Sequence, residues 1–176
     1  MPMSYYFNIC STAKYQEAYI AFLLEHFVQL NLPYSFPVSL SYLSSPLFME
    51  KESILFRNPD DEIIGAIGYI HGTGDQNYEN EHIVQIQTVF IKERYRSTRL
   101  FLQASQFLAQ YLAQLKQPVT ELRFWIPAQP NLKRLCAKSA RKVAVQNTDH
   151  GVIEEYVMDF TQWHDDVMKY PHEIYF

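Results

Sequence analysis

With 176 residues, 48% of them hydrophobic and 19% charged, the chain has the size of one domain with its own core and is too apolar for disorder. A formal net charge of -4 argues against a nucleic-acid partner, and no stretch approaches the length of a membrane-spanning helix. Cys10 and Cys136 stand outside any CxxC and the six histidines are scattered, so no disulfide framework or metal site is implied and a reducing, cytoplasmic setting is expected.

Apolar residues at helical spacing, Ala18, Tyr19, Phe22, Leu23, Phe27 and Leu30, predict a first helix over 14–30, capped by Ser11 or Thr12. Residues 31–46 carry Pro33, Pro37 and Pro46 among serines and aromatics, a long connection with room for one short helix. Two apolar runs, 53–57 and 62–71, flank Asn58-Pro59-Asp60-Asp61 and read as a hairpin. A polar loop with Gly72 and Gly74 leads to a third strand over 82–91, and a helix follows over 98–115. Gln117-Pro118 ends that helix, a fourth strand occupies 119–126, a short helix 131–140, and a last pair of strands 142–146 and 152–160. This order implies a single α/β domain over 1–160, a mixed central sheet with helices on both faces. The polar, aromatic tail 161–176 packs on the body or on a second copy, which leaves a homodimer open.

Residues 83–115 form the centre of this plan. Strict alternation puts Val84, Ile86, Thr88 and Phe90 on one face of the third strand, and Ile83, Gln85, Gln87, Val89 and Ile91 on the other. Leu100, Phe101, Ala104, Phe107, Leu108, Tyr111, Leu112 and Leu115 form the helix stripe. Between them runs Lys92-Glu93-Arg94-Tyr95-Arg96-Ser97-Thr98-Arg99. A turn entering a helix N-terminus offers free N–H groups to an anion such as a pyrophosphate, and arginines add charge-assisted contacts. Read from local pattern alone, the same turn is a solvated helix start like that of any βαβ unit.

The strand, the turn headed by Arg96 and the helix resemble the signature of the GCN5-related N-acetyltransferases (GNAT), a strand followed by Arg/Gln-x-x-Gly-x-Gly/Ala and a helix. Arg96 takes the first motif position, while Arg99 and Phe101 stand where glycine and glycine or alanine are expected. A second landmark of the family matches Asn131 followed by Leu135-Cys136-Ala137-Lys138, with Cys136 in place of the family's general-acid tyrosine. The resemblance implies a GNAT-like fold and acetyl-coenzyme A (acetyl-CoA) as acyl donor. Its pyrophosphate would lie on Arg96, Ser97, Thr98, Arg99, Leu100 and Phe101, its thioester and pantetheine arm along Thr88, Val89, Phe90 and Ile91, and Asn131 would complete the cofactor site. It also implies transfer to a primary amine of a small molecule or peptide by direct attack, with no nucleic acid and no membrane involved.

Such an amine must first lose a proton. Glu81 at the start of the third strand, beside Glu79 and His82, is the candidate base; as loop-end surface residues they need no such role. Cys136 is either the proton donor to the leaving thiolate or inert packing. Gln85 and Gln87 line a polar cleft or bond to a neighbouring loop. Aromatics over 34–48 wall the acceptor pocket or pack the loop. The missing glycines leave a second reading, a catalytically degenerate GNAT-fold protein that binds acyl-CoA or serves assembly. Geometry separates these cases at one place: whether the third and fourth strands part above Arg96.

Overall fold

The computed structural model describes residues 4–49, 51–128 and 140–176. Its first half comprises β1 (Tyr6–Ile9), α1 (Ala13–Glu25), α2 (Phe27–Leu30), α3 (Phe36–Ser44), β2 (Ser53–Arg57) and β3 (Ile63–His71). Its second half comprises β4 (Ile83–Ile91), α4 (Leu100–Ala113), β5 (Glu121–Pro127), β6 (Arg141–Thr148), β7 (Gly151–Asp159) and α5 (Phe160–Met168). Asn131, Cys136 and most of the short helix expected over 131–140 lie outside the described residues.

The strands form one seven-stranded sheet in the order β1-β2-β3-β4-β5-β7-β6. Every neighbouring pair is antiparallel except β4 and β5, which run parallel and are joined through α4. A parallel pair needs such a crossover, and a helix supplies it. Helices cover both faces, as the fold class expected from the order of elements requires. On one face α4 buries Leu100, Ala104, Phe107, Leu108, Tyr111 and Leu112 against Ile54, Phe56, Ile67, Tyr69, Val84 and Leu122. On the other, α1 and α3 bury Tyr19, Phe22, Leu23 and Leu43 against Leu55, Ala66 and Phe90.

The structure corrects several expectations. β1 had no counterpart in the sequence reading, because four residues are too few for a period-two pattern to register. The single helix expected over 14–30 breaks at His26, whose backbone (φ -106, ψ 21) leaves the helical region, and α2 ends at Asn31 in the left-handed region (φ 48). The long connection holds α3 and a 3-10 turn over Ser45–Phe48. The hairpin turn is held by buried Asn58, whose Oδ1 accepts from the N–H groups of Asp60 and Glu62, both at 3.0 Å.

The alternation of β4 is also interrupted. Thr88 pairs with Gly68, but Tyr69 pairs with Ile86, so Gln87 is an extra residue in β4. This β-bulge reverses which face each later residue meets. Val84 and Ile86 lie in the α4-side core together with Ile91, whereas Phe90 joins the α1 side. The expected grouping of Val84, Ile86, Thr88 and Phe90 on one face therefore does not hold. At the C-terminus, α5 and the residues after it run along α4: Gln110 Nε2 donates to Glu173 O at 2.7 Å and Gln110 Oε1 accepts from Tyr175 N at 2.8 Å. Tyr175 and Phe176 place their rings 5.0 and 5.2 Å from that of Phe107.

Candidate active site

Beyond the bulge β4 loses one neighbour. Its pairing with β5 runs from Ile83↔Glu121 to Ile86↔Phe124 and stops, although β4 continues to Ile91 and β5 to Pro127. The two parallel strands part there, and among the described strands residues 87–91 pair only with β3. The register decides which main-chain groups are left at the parting. Lys92 N donates to Ile64 O at 2.9 Å, and the pairs Phe90↔Ala66 and Thr88↔Gly68 continue the same series. In an antiparallel ladder alternate residues bond to the same neighbour. Thr88 and Phe90 thus face β3, and the N–H and C=O groups of Val89 and Ile91 face the opening. The carbonyl of Ile91 is taken by Arg96 Nε at 2.8 Å. Those of Val89 have no partner among the described residues, and the residue is 42% exposed.

The turn that follows is anchored from below. Tyr95 is buried, receives a hydrogen bond from Asn58 Nδ2 at 3.1 Å, and meets the Tyr5 ring edge-on at 6.2 Å. Lys92 and Arg94 are drawn to Glu62, at 2.7 and 3.9 Å, which holds the Glu62 carboxyl below its usual range through the hydrogen bond and charge of Lys92. Arg96 and Arg99 are exposed, and the guanidinium of Arg96 sits 5.5 Å from the centre of the Phe90 ring. At the start of α4, Leu100 N finds Thr98 Oγ1 at 3.2 Å and Gln103 N finds Arg99 O at 2.9 Å. The N–H groups of Phe101 and Leu102 have no acceptor among the described residues, as expected for the first turn of a helix. Ser97, Thr98 and Arg99 are exposed, Leu100 is buried, and the Phe101 ring reaches solvent.

On the α1 side the bulge is covered. Tyr42 of α3 donates to Gln87 O at 2.7 Å, and Ser45 Oγ donates to Gln87 Oε1. Gln85 Nε2 is committed to Gly72 O at 2.7 Å. Beneath them the hydroxyls of Tyr19 and Thr88 are buried with no partner, and burial raises the Tyr19 and Tyr42 hydroxyls well above the usual tyrosine range. His26 stacks on Phe90 at 4.9 Å and directs Nδ1 to Phe22 O at 2.9 Å. A carbonyl only accepts, so Nδ1 carries the proton and the lone pair of a neutral ring sits on Nε2.

The structure brings Thr88, Val89, Phe90, Ile91, Arg96, Ser97, Thr98, Arg99, Leu100 and Phe101 together around the parting strands. It does not bring Glu81 there. Glu81 is exposed in the turn before β4, where its carbonyl accepts from His71 Nδ1 at 3.0 Å, and Ile83 to Val89 alone spans about 20 Å at the usual strand rise. Tyr42, Ser45 and His26 were not singled out from the sequence, although aromatics over 34–48 were. No metal-holding cluster occurs among the described residues.

No protein-family model matches the sequence, and no functionally curated protein is detectably similar to it. Solved structures do match over nearly the whole chain. The loading GNATL domain of CurA from Lyngbya majuscula is 14% identical with a TM-score of 0.64, covering 90% of this chain and 99% of that one. The fold is that of the GNAT acetyltransferases. A GNAT-family acetyltransferase from Staphylococcus aureus is 12% identical with a TM-score of 0.62 over 89% of this chain and 99% of that one. A spermidine N-acetyltransferase chimera from Vibrio cholerae and hSSAT is 9% identical with a TM-score of 0.57 over 90% and 97%. At these identities the GNAT fold is shared while the side chains around its centre are this chain's own.

Proposed function

We propose that the protein is an acetyl-CoA-dependent N-acetyltransferase that moves the acetyl group to a primary amine of a small molecule or peptide by direct attack. The observation that carries it is the free main-chain edge of Val89 where β4 parts from β5, with Arg96 at the mouth. The donor fits these residues. An amide-bearing pantetheine arm pairs with an open strand edge as an added strand does. Arg96, Arg99 and the Phe101 and Leu102 amides suit a pyrophosphate. Acetyl-CoA supplies the activated acyl group. A neutral amine attacks the thioester carbonyl carbon, and Val89 N–H donates to the oxygen as it becomes anionic. The C–S bond breaks and the leaving thiolate takes a proton, for which Cys136 is the proposed donor; the proton lost by the new ammonium passes through water and restores the Cys136 thiol. The protein is proposed to work in the cytoplasm; among the described residues no helix is long and apolar enough to cross a membrane.

Val89→Pro tests this directly. Proline removes one N–H, and at a strand edge facing away from its partner it leaves the ladder intact. Loss of one oxyanion donor lowers kcat by roughly 10²–10³. The expected result is that loss with acetyl-CoA binding and the melting transition retained; unchanged turnover refutes the assignment. Arg99 and Phe101 at the two expected glycine positions favour a second reading, an acyl-CoA-binding module without turnover. Acetyl-CoA binding with no acetylated product from a broad amine panel selects it.

A further inference from the structure

The cover over the α1 side of β4 is unusual in its chemistry. Residues 27–49 contain no Asp, Glu, Lys, Arg or His over 23 consecutive positions. This stretch builds α2, α3 and the 3-10 turn over Ser45–Phe48, the elements that reach β4 at the bulge through Tyr42 and Ser45. Its polar groups nearest the opening are neutral and already committed. Tyr42 and Ser45 both donate to Gln87, and Gln85 of β4 itself donates to Gly72 O. Its outer surface carries large apolar groups among neutral polar ones: Phe36 and Val38 are more than half exposed, Phe48 is 84% exposed, Phe36 meets Phe27 edge-on at 5.2 Å, and Gln29, Asn31, Ser35 and Ser41 are exposed beside them. Across the parting, Glu155 of β7 pairs with Trp125 of β5, one residue past the last β4–β5 pair, and is drawn to Arg123 at 4.0 Å. Glu62 and Asp61 are engaged by Lys92 and Arg57, and with Glu25, Phe22 and Lys92 they line a recess on the α1 flank.

Resting on the acetyltransferase reading above, we propose that the acceptor is a monoamine on an apolar, uncharged body, an alkyl- or arylamine, and that polyamines, amino sugars and basic peptides are poor acceptors. A second ammonium on the acceptor would find no carboxylate on this cover, and an unpaired charge in apolar surroundings is strongly disfavoured. The same surroundings act on the reacting nitrogen. Desolvation lowers the pKa of an ammonium, which favours the neutral, nucleophilic form. An uncharged wall thereby does part of what a general base does elsewhere.

The test is calorimetric titration of hexylamine, phenethylamine and spermidine into the full chain, with and without coenzyme A, alongside acetylation rates for the same amines. The two monoamines are expected to bind at least about tenfold more tightly than spermidine, a difference of ~1.4 kcal/mol. Their affinity rises from pH 7 to 9 as the neutral form becomes available, since an alkylammonium has a pKa of about 10. Tyr34, whose ring lies 5.6 Å from that of Tyr42, offers the converse: Tyr34→Asp places a carboxylate on the cover and shifts the preference toward spermidine. Equal or tighter spermidine binding by the unmodified protein, monoamine affinity that falls with rising pH, or no amine binding at millimolar concentration overturns the proposal. Amine binding in the expected order without acetyl-CoA binding overturns the acetyltransferase reading and leaves only a site that prefers apolar monoamines.

Discussion

Glu52→Gln should make the protein's stability less sensitive to alkali, by an amount the structure lets one work out. Glu52 precedes β2, and its carbonyl accepts from Tyr69 N at 3.0 Å. Its carboxyl is buried, Oε2 has no partner, and Oε1 lies 3.6 Å from His71 Nε2, too far for a hydrogen bond. Burial first and the charge of Glu81 second raise this carboxyl from 4.5 to about 8. The native state therefore holds a proton between these values that the unfolded chain has released. Stability is fullest below the unfolded value and declines as pH rises through the window by ~1.4 kcal/mol per unit, to a total on the order of 3–5 kcal/mol. One kcal/mol moves the melting point of a chain this size by roughly 2–4 °C. Melting curves at half-unit steps from pH 4 to 9 measure the effect. The Tm of Glu52→Gln minus that of the unmodified protein should grow from about pH 5 and level off near pH 8, reaching roughly 10 °C. Parallel curves over the whole range refute the assignment of a buried, protonated Glu52.

Tyr19→Phe removes a buried hydroxyl that has no partner and should stabilise the fold by about 1 kcal/mol, read by chemical denaturation. A Cβ on Gly68 would lie 1.9 Å from that hydroxyl and 3.1 Å from Pro46 Cγ, so Gly68→Ala should cost about 1–3 kcal/mol. Much of that cost should vanish in the Tyr19→Phe background; additivity of the two changes contradicts the contact. Arg96→Ala frees the Ile91 carbonyl and removes an exposed cation, so acetyl-CoA should bind on the order of tenfold more weakly by titration while the sheet melts nearly as before.

The long elements were legible because their periods are strong. The α4 stripe from Leu100 to Leu112 and the Asn58 hairpin needed no tertiary information, and together with the order of strands and helices they sufficed for the fold class. What the sequence concealed depends on contacts between distant residues. β1 is strand-like only because β2 offers it an edge. At the break, His26 stacks on Phe90, more than sixty positions along the chain. Around the site, Arg96 and Val89 could be found from the turn and the strand. The uncommitted edge of Val89 could not, because it follows from a register that counts one residue more in β4 than in β3. Glu81 stands just before the strand in sequence, but the length of β4 holds it away from the opening. The run without charge over 27–49 was visible in the sequence, but only the hydrogen bonds to Gln87 give it a location.

Gln87 ties these observations together. One extra residue turns its carbonyl to Tyr42 and its side chain to Ser45, and puts Phe90 on the α1 side under the Arg96 guanidinium. It also marks where pairing with β5 ends. Bulges increase local twist and concentrate next to active sites because they re-aim side chains and terminate pairing. Here both effects meet at one position: pairing with β5 ends, and the reversal brings an aromatic wall and a cation to the same opening. A strictly alternating strand in this place would pair with β5 to its end, cover the Val89 amide and point Phe90 into the α4 core. The chemistry proposed for this chain thus depends on its β4 departing from ideal geometry, and on the neutral cover that Tyr42 and Ser45 fasten over the departure.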